Sequence, residues 1–427
     1  MSSVLAFVVA TLVWVVFSRR LSSWSVTAPI VLTFAGFAVA HGLGAGVNLD
    51  SESVRRLIEL TLAVVLFCDA SSIALVWFRR SWRFPVRLLG IGLPLTIVAG
   101  LGAAALLLPG QDIWVLAIIA CALAPTDAAL GVSIVENERI PLWFRQVINV
   151  ESGLNDGLAT PLVSFCIAAA ATAVGASHRP VADAVLEILV GVVLGLAIGA
   201  ATGVLLTWAK QRRLAQPSIV AVAPLVIAVV TYVLVVQLHG NGFVAAFVCG
   251  VGFGSATRRS AARWAEPAKA TGGTNDGTQC ADAETGSSDG MLTYTHLTAT
   301  LLGFAVWFVF GESVLGSLTT DHLAQALGYA VLSLTVLRMV PVALSLVGMR
   351  LPWDTVALAG WLGPRGLASI IFAMLADDAL GGADGALVLT VVGTTVGLSV
   401  LAHGLSAGPL AAWYSRRHPA DEVPATA

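Results

Sequence analysis

In the stretch Asn149-Val-Glu-Ser-Gly-Leu-Asn-Asp-Gly157, two carboxylates, two amides and a hydroxyl fall within a few residues of an otherwise apolar run. On a helix Glu151 and Asn155 are i,i+4 neighbours, and Ser152 and Asp156 form a second such pair beside them. Oxygen atoms of this kind, joined by a carbonyl released from a helix, suit a hard cation, and a small alkali ion is the natural guest. Burial disfavours the charged form of a carboxylate, so a proton can compete with the cation for it. If the loaded forms cross a barrier and the empty, charged form does not, the result is exchange. Asp127, Arg338 and Arg365 lie in apolar runs of their own. A charge at the centre of a bilayer costs on the order of 3 kcal/mol, so each implies a partner or a purpose. For Asp156 the alternative is a salt bridge that merely locks helices.

Such residues need membrane helices to position them. Of 427 residues, 57% are hydrophobic and 11% charged, against about 25% charged in an ordinary soluble domain. The 23 Lys+Arg and 25 Asp+Glu cannot cover a soluble surface of this size, whereas 42 Gly in apolar runs suit closely packed membrane helices. These proportions exclude a soluble enzyme. The net charge of −2 points to neither nucleic acid nor an acidic partner. Cys68, Cys121, Cys166 and Cys249 lie in apolar runs and Cys280 in a polar stretch, with no disulfide framework or zinc spacing. About 20 apolar residues cross a bilayer as a helix. Thirteen spans are predicted, near 3–17, 26–45, 56–78, 86–108, 112–135, 144–174, 182–208, 218–237, 240–256, 292–315, 323–348, 354–378 and 385–413.

Basic residues collect in cytoplasmic links. Eighteen of the 23 Lys and Arg residues fall in or at the edges of the links after spans 1, 3, 5, 7, 9 and 11 and in the C-terminal tail. This predicts a multi-pass protein of the cell membrane with its N-terminus outside and its C-terminus cytoplasmic. The first span, with Arg19 and Arg20 after it and no small-residue cleavage site, reads as a reverse anchor. Residues 257–291, rich in Gly, Thr, Ser and Asp, read as a flexible cytoplasmic loop.

Thirteen spans divide into six, one and six, which inverts the second half relative to the first. Span 5 is interrupted at Ala124-Pro-Thr-Asp127 and span 12, the fifth of the second half, at Gly363-Pro-Arg-Gly366. Proline removes an amide donor and clashes with the preceding turn, so each helix is expected to unwind in mid-membrane. Paired broken helices point to a transporter site; two ordinary proline kinks are the alternative. Asp156, at about 1.5 Å per residue, lies roughly 18 Å from the inner end of its span, near the midplane. A channel would need neither paired breaks nor a titratable ion ligand. A Schiff-base photopump is excluded because Lys210 and Lys269 both lie in links.

Pro125-Thr126-Asp127, Glu151-Ser-Gly-Leu-Asn-Asp-Gly157, the Gly-rich run Gly240–Gly250 and Gly360-Trp-Leu-Gly-Pro-Arg-Gly366 resemble the monovalent cation:proton antiporter 1 family, the bacterial NhaP-type sodium/proton antiporters. The resemblance implies an all-α polytopic protein of the NhaA/NhaP-like antiporter fold, two inverted six-helix repeats with crossed broken helices. It implies core transport helices in 86–174 and 323–413, dimerisation helices in 1–85 and 218–256, and a homodimer. Residues 175–217 would hold a linking helix, 292–322 helix 10 and 414–427 a short tail. It implies exchange of Na+, or of Li+ or K+, for H+, without a cofactor. The ion would be held by Asp156, Glu151, Ser152 and Thr126, the last through its main-chain carbonyl, with Asp127 taking part through water or by polarising the helix crossing. Asn155 stands where electrogenic relatives carry a second Asp, so the resemblance implies electroneutral exchange of one cation for one proton. Arg338 is expected to pair with Glu151, and Arg365 to stabilise span 5 or the dipole ends at the crossing. Two features depart from the family pattern: Leu154 replaces a frequent Phe, and the short tail places any pH response in the membrane part.

Asp69, within span 3, is either a second partner of Arg338, a residue of the access path, or one end of a fixed interhelical hydrogen bond. Glu59 and Glu312 near span ends are expected to be solvated. His41, His239 and His403 are also placed near ends.

Overall fold

The computed structural model describes residues 2–43, 52–72, 82–127, 130, 137–173, 181–270, 277–318 and 321–418. Among them all regular structure is helical: α1 (Ser2–Ser23), α2 (Ala28–Leu43), α3 (Glu52–Ser72), α4 (Arg83–Leu107), α5 (Ile113–Ala122), α6 (Leu142–Ala173), α7 (Val181–Gln211), α8 (Ala223–Gln237), α9 (Gly242–Ala270), α10 (Gly277–Val309), α11 (Leu323–Ser345), α12 (Trp353–Trp361), α13 (Leu367–Leu380) and α14 (Gly382–Ser415). A π-helical turn, Phe310–Val314, extends α10.

Eight of these helices are long and apolar enough to cross a bilayer: α1, α4, α6, α7, α8, the end of α10, α11 and α14. The remaining predicted spans are present in shorter or interrupted form. Helices α2 and α5 are short and apolar, α3 and α9 carry charges, and span 12 is divided into α12 and α13. The second half of span 5 lies almost wholly outside the described residues, as do 73–78 of span 3 and 419–427 of the tail. Residues 257–291, expected as a loop, are helical at both ends, because α9 runs on to Ala270 and α10 starts at Gly277. The run Ala256–Glu266 contains neither glycine nor proline to stop α9; residues 271–276 are outside the described set.

Local chemistry explains the helix ends that matter for the site. Asp112 caps α5 by accepting from the Trp114 amide at 2.8 Å, and Pro125 follows its end. Helix α12 starts after Pro352 and stops at Trp361, three residues before Pro364. After α13, Gly381 and Gly382 adopt φ of +62° and +55°. That conformation costs a glycine little, and it lets α14 begin at once.

The chain forms two compact units. The first comprises α1, α2, α4–α6, the end of α10 and α11–α14. An apolar cluster of Phe84, Trp143, Phe144, Leu346, Leu358 and Tyr414 ties α4, α6, α11, α12 and α14 together at one end. Glu312 belongs to this unit, and its expected solvation is not what the structure shows: it is 2% exposed. Its Oε1 accepts from Ser3 Oγ at 2.7 Å. Proximity to a span end did not expose it because α1 and α2 pack over the π-helical turn.

The second unit comprises most of α3, together with α7–α9 and the first part of α10. Gly191, Gly195 and Gly199 recur every four residues on α7 and meet the backbone of α9; a Cβ at Gly199 would lie 2.1 Å from the Cys249 carbonyl oxygen. Small residues at this spacing let two membrane helices approach to backbone contact. Asp69 lies in this unit on α3, half-buried. Glu59 is also half-buried and accepts from the Tyr232 hydroxyl at 3.0 Å.

Candidate ion-binding site

Within the first unit, the unwound segment after α5 and the one between α12 and α13 meet. Their backbones bond directly, the Asp127 amide donating to the Pro364 carbonyl at 2.8 Å. Asp127 Oδ2 accepts from the Leu367 amide at 3.0 Å, placing a carboxylate on the positive N-terminal end of α13. Arg365 does the converse: Nη1 donates to the carbonyls of Ala124 at 2.8 Å and Pro125 at 3.0 Å, beyond the C-terminal end of α5. Each charge therefore sits on a helix end of opposite sign and satisfies backbone groups that the breaks leave without helical partners.

The crossing has no room for side chains. A Cβ at Gly366 would lie 1.9 Å from Asp127 Oδ2, and one at Gly363 would lie 2.5 Å from Arg338 Nε. Arg365 is fully buried; its Nη2 reaches the Ser333 carbonyl at 3.4 Å, close to a local break of α11 at Thr335 (φ −117°, ψ −94°). Its own amide donates to Ser399 Oγ at 2.7 Å.

Helix α6 lies alongside. Ser152 Oγ donates to the Thr126 carbonyl and Asn155 Nδ2 to Thr126 Oγ1, both at 2.7 Å. Both donors come from one face of α6, and together they anchor the unwound Thr126. Asp156 follows one turn after Ser152 and is 7% exposed; its main-chain carbonyl accepts from Thr160 Oγ1. Arg338 Nη2 donates to Glu151 Oε1 at 2.7 Å, each side chain being 2% exposed. Two buried oxygens in this region have no hydrogen-bond partner among the described residues, Glu151 Oε2 and Asn155 Oδ1. They are acceptors of the type an alkali ion takes.

Thr126, Asp127, Glu151, Ser152, Asn155, Arg338 and Arg365 are thus joined by bonds within one unit, with Asp156 on the adjoining turn. Asp69 belongs to the other unit. Counting formal charges, Asp127, Glu151 and Asp156 face Arg338 and Arg365, which leaves the cluster with one net negative charge.

Sequence reasoning missed Ser399; His403, which it placed near a span end, lies inside α14 and is 2% exposed. The available signal was a polar stripe, Ser399, His403 and Ser406, at i, i+4 and i+7 on an otherwise apolar helix.

A family model described as "Sodium/hydrogen exchanger, transmembrane" matches residues 5–413. The chain is 25% identical over 419 residues to the K(+)/H(+) antiporter NhaP of Alkalimonas amylolytica, a match covering 95% of this chain and 66% of that protein. It therefore spans just under two thirds of the length of that relative. Two structures of the sodium proton antiporter MjNhaP1 of Methanocaldococcus jannaschii share the fold. One, at pH 8, has a TM-score of 0.73 at 18% identity, covering 97% of this chain and 98% of that one. The other, an electron-microscopy structure, has a TM-score of 0.72 at 18% identity with 99% of each chain covered. The resemblance seen in the motifs is borne out over nearly the whole membrane part, and the chain belongs to the transmembrane sodium/hydrogen exchanger family.

Proposed function

We propose that this protein exchanges one monovalent cation for one proton by alternating access, at a site formed by Asp156, Glu151, Ser152, Thr126 and Asp127 and supported by Asn155, Arg338 and Arg365. The observation that carries the reading is the charge balance: three carboxylates against two arginines leave one negative charge, which one monovalent cation or one proton neutralises. Asp156 is the group that the two compete for. Glu151 Oε2, the Ser152 hydroxyl and the Thr126 carbonyl complete an oxygen shell, and Asn155, an amide that cannot exchange a proton near neutral pH, limits the site to one titrating charge.

Coupling follows from the cost of moving charge. With a cation or a proton bound the site is neutral; empty, it carries one negative charge into a low-dielectric barrier. On the lenient insertion scale that costs about 3 kcal/mol, a factor of roughly 150 in rate. The loaded forms therefore cross and the empty form seldom does. In the cell membrane, with the N-terminus outside and the C-terminus cytoplasmic, such exchange serves sodium and pH homeostasis. We further propose a homodimer in which core helices from 86–174 and 323–413 move against helices in 1–85 and 218–256. Sodium is the cation we favour; a potassium/proton exchanger is the second reading, prompted by the name of the Alkalimonas relative.

The test is proton flux in proteoliposomes with sodium, potassium and lithium added in turn. Asp156→Asn is expected to abolish cation-driven flux while the protein remains folded by thermal unfolding. Flux retained in that variant would refute the assignment.

A further inference from the structure

Helix α14 and the residues just past its end run antiparallel to the first part of span 12. Asp354, Thr355, Trp361 and Arg365 meet His418, Tyr414, Ser406 and Ser399 in that order. The first three contacts hold α12, whose own turns already set its backbone. The contact at Ser399 differs, because residues 362–366 belong to neither α12 nor α13. Ser399 Oγ accepts the amide proton of Arg365 at 2.7 Å, and among the described residues no backbone carbonyl takes that proton. Both residues are fully buried, so bulk water does not stand in for the serine.

The peptide unit that Ser399 holds is also the one through which the two breaks meet. Its N–H belongs to Arg365 and its carbonyl to Pro364, and that carbonyl accepts from the Asp127 amide at 2.8 Å. A trans peptide is planar, with N–H and C=O pointing to opposite sides, so a bond that fixes one group aims the other. We propose that Ser399 is a positioning residue for the exchange: it orients the Pro364–Arg365 peptide and so keeps Asp127, with Thr126 beside it, in place at the ion site. This rests on the exchange reading above. The role is independent of the His403 tautomer. His403 Nδ1 is 3.2 Å from both the hydroxyl oxygen and the carbonyl oxygen of Ser399. A hydroxyl oxygen has two lone pairs, and one remains for the Arg365 amide whether the imidazole nitrogen donates or accepts.

Without the hydroxyl, the Arg365 amide is a buried donor with no acceptor for as long as the peptide keeps its place. The cation-free protein relieves this by turning the peptide, which also withdraws the Pro364 carbonyl from Asp127. Binding a cation at the Thr126 carbonyl then has to turn the peptide back, so the penalty falls on the bound state alone and appears as lost affinity. An unsatisfied buried donor corresponds to a factor of about 5–150 in an equilibrium constant. The Arg365 guanidinium adds to the same effect, since it donates to the Ala124 and Pro125 carbonyls that lead into Thr126.

The experiment is proteoliposome exchange at one pH over a full range of sodium, replaced by potassium if wild type responds to potassium alone. Wild type, Ser399→Ala, Ser399→Cys and Ser406→Ala are compared, each checked for thermal unfolding. Ser399→Ala is expected to raise the apparent KM for the cation about fivefold or more, with the saturating rate per folded transporter within about twofold of wild type. Ser399→Cys keeps the volume but is a weak acceptor, so its KM is expected to rise too, and it carries the test if the alanine variant does not fold. Ser406→Ala removes the bond to Trp361 on α12, outside the break; it is expected to lower the unfolding midpoint and to leave KM within about twofold of wild type. A KM within about twofold of wild type in a folded Ser399 variant would overturn the inference. So would an equal rise in Ser406→Ala, which would mean that any loosening of α12 suffices, or a rise in Ser399→Ala that Ser399→Cys does not share, which would mean that lost volume is the cause. Absence of cation-driven proton flux from wild type would instead refute the exchange reading.

Discussion

Replacing Arg338 by methionine is expected to destabilise the protein far more than a typical substitution, and a second substitution is expected to restore it. Arg338 and Glu151 meet at 2.7 Å with each side chain 2% exposed, 187 residues apart in sequence. Removing one partner of such a pair leaves an uncompensated buried charge, at a cost of about 3–5 kcal/mol. For a chain of 427 residues, with an unfolding entropy of about 2.1 cal/mol/K per residue, that corresponds to a fall of roughly 3–6 °C in unfolding midpoint. Glu151→Gln alone strands the guanidinium and is expected to lose a similar amount. In the double variant neither charge is stranded, so most of the loss should return. Charge counting makes a parallel statement about transport: Arg338→Met leaves the cluster with two net negative charges, Glu151→Gln with none, and the double variant with one, as in wild type. The assay is thermal unfolding of the four purified proteins in one detergent, beside proteoliposome exchange. A double variant no more stable than the weaker single variant would refute the pairing argument. A double variant that is stable but devoid of exchange would show that Glu151 is needed as an ion ligand beyond its charge.

Gly366→Ala places a Cβ where Asp127 Oδ2 now sits, so the carboxylate must leave the Leu367 amide. At about 1–3 kcal/mol for such overpacking, exchange is expected to fall tenfold or more while the purified protein remains helical by circular dichroism. Unimpaired flux would show that the close approach at the crossing has no role. Asn155→Asp adds a second titrating carboxylate beside Asp156, so exchange is expected to become sensitive to an imposed membrane potential, where wild type is not. Proteoliposomes clamped with a potassium diffusion potential decide this, and a voltage-dependent wild type would contradict the one-to-one reading.

Several features could be read from the chain before any coordinates, because each follows from the local cost of polar groups in an apolar setting. The spans follow from the length a helix needs to cross a bilayer, the breaks from Pro125 and Pro364, and the candidate site from the rarity of charge within spans. The family followed from motifs in their order and spacing. Other features required the fold. Glu312, at a position taken for a solvated end, is buried, since exposure depends on which helices pack across an end. The role of Ser399 was invisible because a serine in a membrane helix usually bonds its own preceding turn. It becomes visible only when α14 is seen to lie along the break and to receive the Arg365 amide. Which helix ends meet Asp127 and Arg365, and how closely Gly366 allows them to approach, are relations between segments some 240 residues apart. The sequence by itself determined which groups are too costly to bury without a partner; the tertiary structure alone decided which partners they have, because hydrogen bonds and ion pairs depend on distances that only packed helices set.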